Sequence, residues 1–403
     1  MLLSIIKRKS NKITPEPITD VRNYTLSDFL PSNFLESDLG LDSQVARDDA
    51  WVIIQNLLNE SNSTTQVNLF WNKKVAITNS LRLGSNTNIV FEENKGVVMK
   101  NGCGYALFKN RTHKPYYNAN IVDNNISISG KGIVNGNAVN IPRGVSGQGM
   151  AAGFAWHGVR NLSIKDIKLY NHKIYAQIAT NVVNGFVKNV ESSIGNEYHS
   201  NNMDGWHWDG WCRNCEFDNL TIKAWDDSIG VNCDDGYTKW HLYSLNAGML
   251  DDFYDINFNG PSRDIRIKNI VFNNENSERG YGVRILSVLS KIDNIQISNL
   301  RGVCKDYLIL LDTYQWSAES EMDFVGIGNI GSVYCDDIDV LVVNNGNPTR
   351  APKSVFSITC STESIQATNV VNRGVLPMVT KSTTDAQGRV LTYGDISING
   401  VNY

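Results

Sequence analysis

Val187-Lys188-Asn189-Val190 is one copy of a four-residue frame whose recurrence decides how this 403-residue chain folds. The frame reads apolar, any residue, Asn or Asp (once Gly), apolar. Upstream it occurs as Ile164-Lys165-Asp166-Ile167. Downstream it occurs as Phe217-Asp218-Asn219-Leu220, Ile267-Lys268-Asn269-Ile270, Ile297-Ser298-Asn299-Leu300 and Cys335-Asp336-Asp337-Ile338, then as Ala367-Thr368-Asn369-Val370 and Ile398-Asn399-Gly400-Val401. Successive copies are offset by 23, 30, 50, 30, 38, 32 and 31 residues. A base rung of about 22 residues, lengthened by loops, accounts for these offsets; the 50 stands for two rungs or for one rung with a large insertion. A unit this small cannot bury its apolar face alone, so units must stack. Asn and Asp in the third place tolerate the left-handed backbone of a bend between strands, and stacked copies would form a polar ladder. No helical pattern of 10 to 15 residues separates the strands, which argues against a helical solenoid. Two-residue Asn-Gly turns are too scarce for a β-sandwich. The expected fold is all-β, a right-handed parallel β-helix.

Residues 1–40 are expected to be irregular, broken by Pro15, Pro17 and Pro31, and residues 41–403 to form a single β-helix domain. Asp48 or Asp49 can cap a helix over about 45–58 whose apolar positions Trp51, Ile54, Leu57 and Leu58 line one face. Such a helix can plug the open end of a strand stack, where unpaired edges invite aggregation. An insertion over about 234–262, with Trp240, His241, Tyr243, Phe253 and Tyr254, is expected to wall a binding groove and shape substrate choice.

The net charge of -4 argues against a nucleic-acid partner, though a local basic groove could still hold an acidic polysaccharide. No stretch approaches the roughly 20 apolar residues of a membrane span, so no membrane insertion is expected. The N-terminal MLLSIIKRKSNK places its apolar run before its charges, the reverse of a secretory signal. Seven cysteines, an odd number, do not make a disulfide framework. Cys212 and Cys215 have CxxC spacing without a second pair and read as buried, inert thiols. No cofactor and no metal is expected.

The chemistry concentrates between Asn202 and Asp227. Asp204 and the pair Asp226-Asp227 fall one repeat apart, with Trp206, His207, Trp208, Trp211 and Trp225 between them. Two carboxyls, one protonated and one ionised, and flat apolar faces are what glycosidic hydrolysis requires. Parallel neighbours lie about 4.8 Å apart, so Asp204 and Asp226 on adjacent rungs would interact; one pKa rises and that group becomes a proton donor. Adjacent strand residues face opposite sides, so a bend at Asp226-Asp227 must turn both toward the groove. The plainer reading makes these aspartates members of the polar ladder, as Asp166 and Asp337 are expected to be. Against it, Asp204 and Asp226 lie outside the frame position and beside tryptophans. Trp206 and Trp208 share one strand parity, which faces either the groove or the interior. His207 has the other parity and is either structural or a sugar ligand. Asp234-Asp235 forms a second acidic pair, fitting a turn or a calcium or substrate contact.

The segment from Gly40 to Leu58, with its DDAWVIIQNLL core, resembles the opening of the pectate-lyase superfamily, and residues 68–93 look like that superfamily's first rungs. Asn202-Met203-Asp204-Gly205 followed by Asp226-Asp227 is similar to the catalytic signature of glycoside hydrolase family 28, the polygalacturonases, and to the related dextranase group. The resemblance implies an inverting glycoside hydrolase with Asp226 as general acid and Asp204 and Asp227 activating water. Inversion ordinarily sets acid and base about 6.5–9.5 Å apart. The family's Gly-His-Gly has no counterpart after the pair, the nearest histidine being His241. Its Arg-Ile-Lys, which grips the substrate carboxylate, appears as Arg284-Ile285-Leu286. Arg284 remains a substrate-binding candidate, together with Asn202, Trp206, His207, Trp208, Trp225 and His241. Loss of the lysine points away from galacturonate and permits a neutral or mildly acidic glycan.

Two other classes fit the same residues. A polysaccharide lyase would use Arg284 as its base, often with calcium. A non-catalytic adhesin or tail protein would only bind sugar through the aspartates. The N-terminus, the superfamily-like entry and the long coil together point to a bacteriophage tail spike that depolymerises capsule or O-antigen. It would be a homotrimer carried on the virion tail. An extracellular or cytoplasmic carbohydrate enzyme is the alternative.

Overall fold

The computed structural model describes residues 16–39, 48–103, 106–111, 121–140, 152–194, 203–233, 260–277, 279–313, 326–346, 353–385 and 388–403. Their strands form a 17-stranded and a 10-stranded sheet, and the chain alternates between them as it climbs. Pairing between rungs is parallel throughout the described strands, apart from a closing antiparallel contact of Ser397 with Asn402. The register follows the frame spacing: Arg160 pairs with Val183, Val183 with Arg213, Arg213 with Arg263 and Arg263 with Asp293. The 50-residue offset is therefore one rung. Its two strands pair directly, with the smaller-sheet strand Asp227–Cys233 between them, while residues 234–259, most of the expected groove-wall insertion, lie outside the described residues.

Each frame puts a residue with left-handed backbone at the bend. Asp166, Asn189, Asn219, Asn269, Asn299, Asp337 and Asn369 all have φ between 52° and 59°, and Gly400 has φ 78°. A second such column lies five residues earlier, at Asn161, Asn184, Asn214, Asp264 and Asn294. Short polar side chains bond locally in this conformation, which other L-residues avoid. Stacked, their amides donate to one another: Asn161 to Asn125 at 2.8 Å, Asn184 to Asn161 at 2.9 Å and Asn214 to Asn184 at 2.7 Å. In the frame column Asn189 donates to Asp166 at 2.7 Å and Asn219 to Asn189 at 2.9 Å.

Inside the coil, Ile, Val and Leu columns are interrupted by an aromatic stack. Phe154 lies on Phe108 and on Trp206 at ring-centroid distances of 5.6 and 5.9 Å, and Trp208 lies on Phe217 at 5.0 Å. Six cysteines are buried, and burial first of all pushes the Cys212 thiol far above its usual range. A thiol that stays protonated neither ligates metal nor attacks disulfides, in keeping with the sequence reading.

The helix spans Trp51–Leu58 and buries Ile54, Leu57 and Leu58 against the first strands. It starts later than position 45. Residues 45–47 lie outside the described residues, while Asp49 is extended and bridges Ala76. The Asp49 carboxylate accepts the Trp51 N–H at 3.0 Å and the Thr78 hydroxyl at 2.6 Å, tying the helix start to the coil. At the other end Arg111 donates to the Leu58, Asn59 and Ser61 carbonyls, which the helix itself leaves unpartnered. The segment expected to be irregular contains a strand, Asp20–Thr25, paired in parallel with Thr65–Trp71. Its alternation is too polar to announce a strand; main-chain pairing along a free sheet edge recruits it. No helix among the described residues is long and apolar enough to cross a membrane.

Candidate active site

Four consecutive strands of the smaller sheet open on a polar residue: Asp204–His207, Asp227–Cys233, Tyr281–Ser287 and Tyr307–Asp312. Asp227 pairs with Tyr281, while Asp204 and Tyr307 stand two residues before the pairs Trp206–Ile229 and Val283–Ile309. The register thus stacks Asp204, Asp227, Tyr281 and Tyr307 in one column. The backbones approach closely there. A Cβ on Gly205 would meet the Ser228 carbonyl oxygen at 2.0 Å, which is why glycine follows Asp204.

Asp226 occupies the bend just before its strand. The bend is pinned by two N–H groups, of Trp225 and Asp226, donating to the Met203 carbonyl at 3.0 and 3.3 Å. Trp225 packs beneath it with Ala138, Ile194 and Met203, a small cluster apart from the main core. The bend turns both aspartates outward. One oxygen each from Asp204, Asp226 and Asp227 lies within 4.8 Å of the others. Asp226 presents 19% of its side chain to solvent, against 10% for Asp204 and 6% for Asp227, so Asp226 is the carboxyl a ligand reaches first.

The three have different surroundings. Burial, then the neighbouring charges of Asp226 and Asp227, push the Asp204 carboxyl well above the usual range, with Arg284 and the Asp227 N–H opposing. Burial and the two neighbouring carboxylates thus favour the protonated form of Asp204. Asp227 meets two donors: the Tyr307 hydroxyl at 2.6 Å and an Arg284 nitrogen at 3.5 Å. Tyr307 and Tyr281 stack at 4.6 Å, and burial raises both phenols far enough to keep their protons. Arg284 is gripped from its other side by Asp312, at 3.0 and 3.3 Å. Arg279 lies 3.9 Å from Asp226. The three carboxylates are close enough to ligate one divalent cation, but both Asp227 oxygens already face donors, Tyr307 on Oδ1 and Arg284 on Oδ2.

Among the substrate contacts read from the sequence, Trp206 and Trp208 require correction. Both are fully buried in the coil, and the Trp206 indole donates to Ser192 at 3.0 Å. Their parity faces the interior, where they share columns with Ile229 and Val231. Trp225 supports the acid bend and is 94% buried, so it offers no open face to a sugar. His207 is corrected too. It lies across Gly230, with Nε2 3.9 Å from Asp204 and Nδ1 3.4 Å from Asp209, buried behind the carboxyls. Asn202, His241 and the pair Asp234-Asp235 lie outside the described residues. Sequence reading missed Tyr307, Tyr281, Asp312 and Arg279. The signal for the first two was the register itself, since counting rungs from Asp204 lands on them.

No family model matches the chain, and no curated protein sequence does. Solved structures do. A family 28 exopolygalacturonase from Yersinia enterocolitica superposes with a TM-score of 0.54 at 12% identity, over 94% of this chain and 71% of that one. The mannuronan C-5 epimerase AlgE6 A-module from Azotobacter vinelandii gives 0.50 at 12% identity, over 94% of both chains. The fold is the right-handed parallel β-helix. At such identities the likeness is one of fold, and function must come from the site.

Proposed function

We propose that this chain is a glycoside hydrolase acting on a polysaccharide, with Asp226 as general acid and Asp204 and Asp227 handling the water. The observation that carries the reading is the convergence of three carboxyl groups from adjacent rungs, one of them in surroundings that favour its protonated form. Both similar structures are named for enzymes of uronate polymers, which supports a polysaccharide as the ligand.

The proton account closes within the trio. Asp204 holds the proton in the free protein and passes it to Asp226, the exposed carboxyl. Asp226 gives it to the glycosidic oxygen as the bond to the anomeric carbon breaks. Water adds to that carbon, and its proton goes to the carboxylate left on Asp204, which restores the starting state. Tyr307 and Arg284 hold Asp227 in place and offset its charge. The nearest oxygens lie closer than the separation of ordinary inverting pairs. With inversion the water sits above the trio; a retaining reaction would instead have a carboxylate attack the sugar. Proton NMR of the first-formed anomer distinguishes them, and we expect inversion.

A lyase is less well supported. Arg284, its candidate base, is paired on both sides, and a guanidinium does not give up its proton near neutrality. The test is a reducing-end assay on capsular, O-antigen and pectic polysaccharides, followed in parallel at an ultraviolet wavelength for unsaturated uronates. Reducing ends without absorbance are expected; absorbance would replace hydrolysis by elimination. Binding without either would leave an adhesin. The proposal includes a trimeric tail-spike setting, and a single-chain mass by light scattering would remove it.

A further inference from the structure

We infer that His207 and Asp209 form a buried positioning line behind Asp204, which fixes the oxygen on which Asp204 carries its proton. This deepens the hydrolase reading and rests on it only for the kinetic half of its test. His207 closes the strand that Asp204 opens, and 2% of its side chain is exposed. Neither ring nitrogen has a hydrogen-bond partner among the described residues. A buried polar ring without partners is destabilising and calls for a reason. The place is nonetheless built for it. Its strand partner on the next rung is Gly230, where a Cβ would come within 2.4 Å of the ring Cε1 and 2.5 Å of Nδ1. On the rung before, Tyr175 meets the imidazole edge to face at a centroid distance of 4.9 Å.

Each nitrogen faces one carboxyl: Nδ1 lies 3.4 Å from Asp209 Oδ1, and Nε2 lies 3.9 Å from Asp204 Oδ2. Asp209 is buried too; burial raises its carboxyl and the ring opposes the rise. The remaining bonds of the two carboxyls decide which atoms donate. Asp209 Oδ1 already accepts the Asn232 N–H at 3.2 Å, so Nδ1 carries the ring proton and Nε2 offers a lone pair. Asp204 Oδ1 accepts the Asp227 N–H at 3.3 Å, which leaves Oδ2 to hold the carboxyl proton and aim it at Nε2. Donors and acceptors thus alternate from Asn232 through Asp209, His207 and Asp204 to Asp227, and bonds in such a chain polarise one another. A shift of about 1 Å closes the gap at Nε2, and bonds of this kind are often long before substrate binds. A group that releases and regains a proton at each turnover gains from such an orienting partner.

The first experiment needs no substrate. Nitrogen-15 NMR of the wild-type chain, labelled at its six histidines, reads the ring tautomer at neutral pH, with the His207 signals assigned by their loss in a His207 variant. A ring protonated at Nδ1 alone is expected; one protonated at Nε2, alone or together with Nδ1, overturns the inference. The second experiment uses two amide variants. His207→Gln sets its amide near the place of Nε2, within reach of Asp204, whereas His207→Asn sets it near Nδ1 and reaches only Asp209. On a polysaccharide that the wild-type chain cleaves, His207→Asn is expected to lower kcat roughly tenfold to a hundredfold, the worth of one hydrogen bond to a charged group. KM should stay within about twofold, since the ring touches no substrate, and His207→Gln should recover most of the lost kcat. A histidine that only fills space would give both variants the same kcat at matched thermal midpoints, and that result overturns the inference. The expected tautomer without cleavage of any polysaccharide in the panel would end the hydrolase reading and leave the line standing.

Discussion

Two polar columns climb the same coil at the same rung spacing, the asparagines of the bends and the aspartates of the groove. In the first, each amide donates to the one before and accepts from the next, as along Asn125, Asn161, Asn184 and Asn214. Such a ladder satisfies itself wherever it lies. In the second, Asp204 and Asp227 are acceptors stacked on acceptors, mostly buried, with a third carboxyl beside them. That arrangement raises a pKa and recruits Arg284 and Tyr307 to offset charge. A chain needing only a ladder would continue with amides; the carboxylates cost stability, and their chemistry gives a reason for keeping them.

The sharpest way to break the contrast is to turn a groove acid into a ladder residue. Asp226→Asn is expected to lower kcat by about 10²–10⁴-fold, the usual contribution of a general acid, while glycan retention stays near wild type. Reducing-end kinetics beside affinity electrophoresis would check it. Retained turnover would return Asp226 to the ladder.

Tyr307→Phe comes next. It removes one donor from Asp227 and keeps the ring stacked on Tyr281. Loss of a hydrogen bond to a charged group costs about 1.5–3 kcal/mol, so kcat/KM should fall roughly tenfold to a hundredfold with little change in thermal midpoint. A matching loss from Asn219→Ala, a ladder residue far from the acids, would blur the distinction. Asn219→Ala should instead spare activity and lower stability by about 1–2 kcal/mol, because alanine is strained at φ 57° and the bond to Asn189 is lost. Asn219→Gly, which accepts that backbone, should recover part of the loss in the same urea titration.

How far the sequence could be read follows from the same two columns. The ladder was legible because it repeats: each frame residue from Asp166 to Asn369 has the left-handed backbone its type and position predict. The companion column beginning at Asn161 was equally present and passed over, since its spacing of five residues shows only when rungs are aligned. Asp204, Asp226 and Asp227 could be chosen as a set from their one-repeat offset. The parity of Trp206 and Trp208 could not be assigned, because a strand's inner face is known only once its register with Ile229 and Val231 is fixed. Asp312 and Arg279 gave no local signal at all. Their partners lie 28 and 53 residues away, and it is stacking, not sequence proximity, that brings them together.

The smallest effect separates the columns without any substrate. Burial and two carboxylate neighbours raise the Asp204 carboxyl above its unfolded value. Between those two values the folded chain keeps a proton that the unfolded chain has released, so stability falls as pH rises from about 4 toward neutrality. Asp204→Asn removes that dependence and still offers an oxygen to the Asp227 N–H. The variant should match wild type near pH 4 and exceed it in stability at pH 7, read as a shift in denaturation midpoint. A variant less stable than wild type at pH 7 would mean that Asp204 is ionised and held by its partners. The groove column would then be stabilised by its charges, and the argument that these carboxylates persist for chemistry would lose its physical basis.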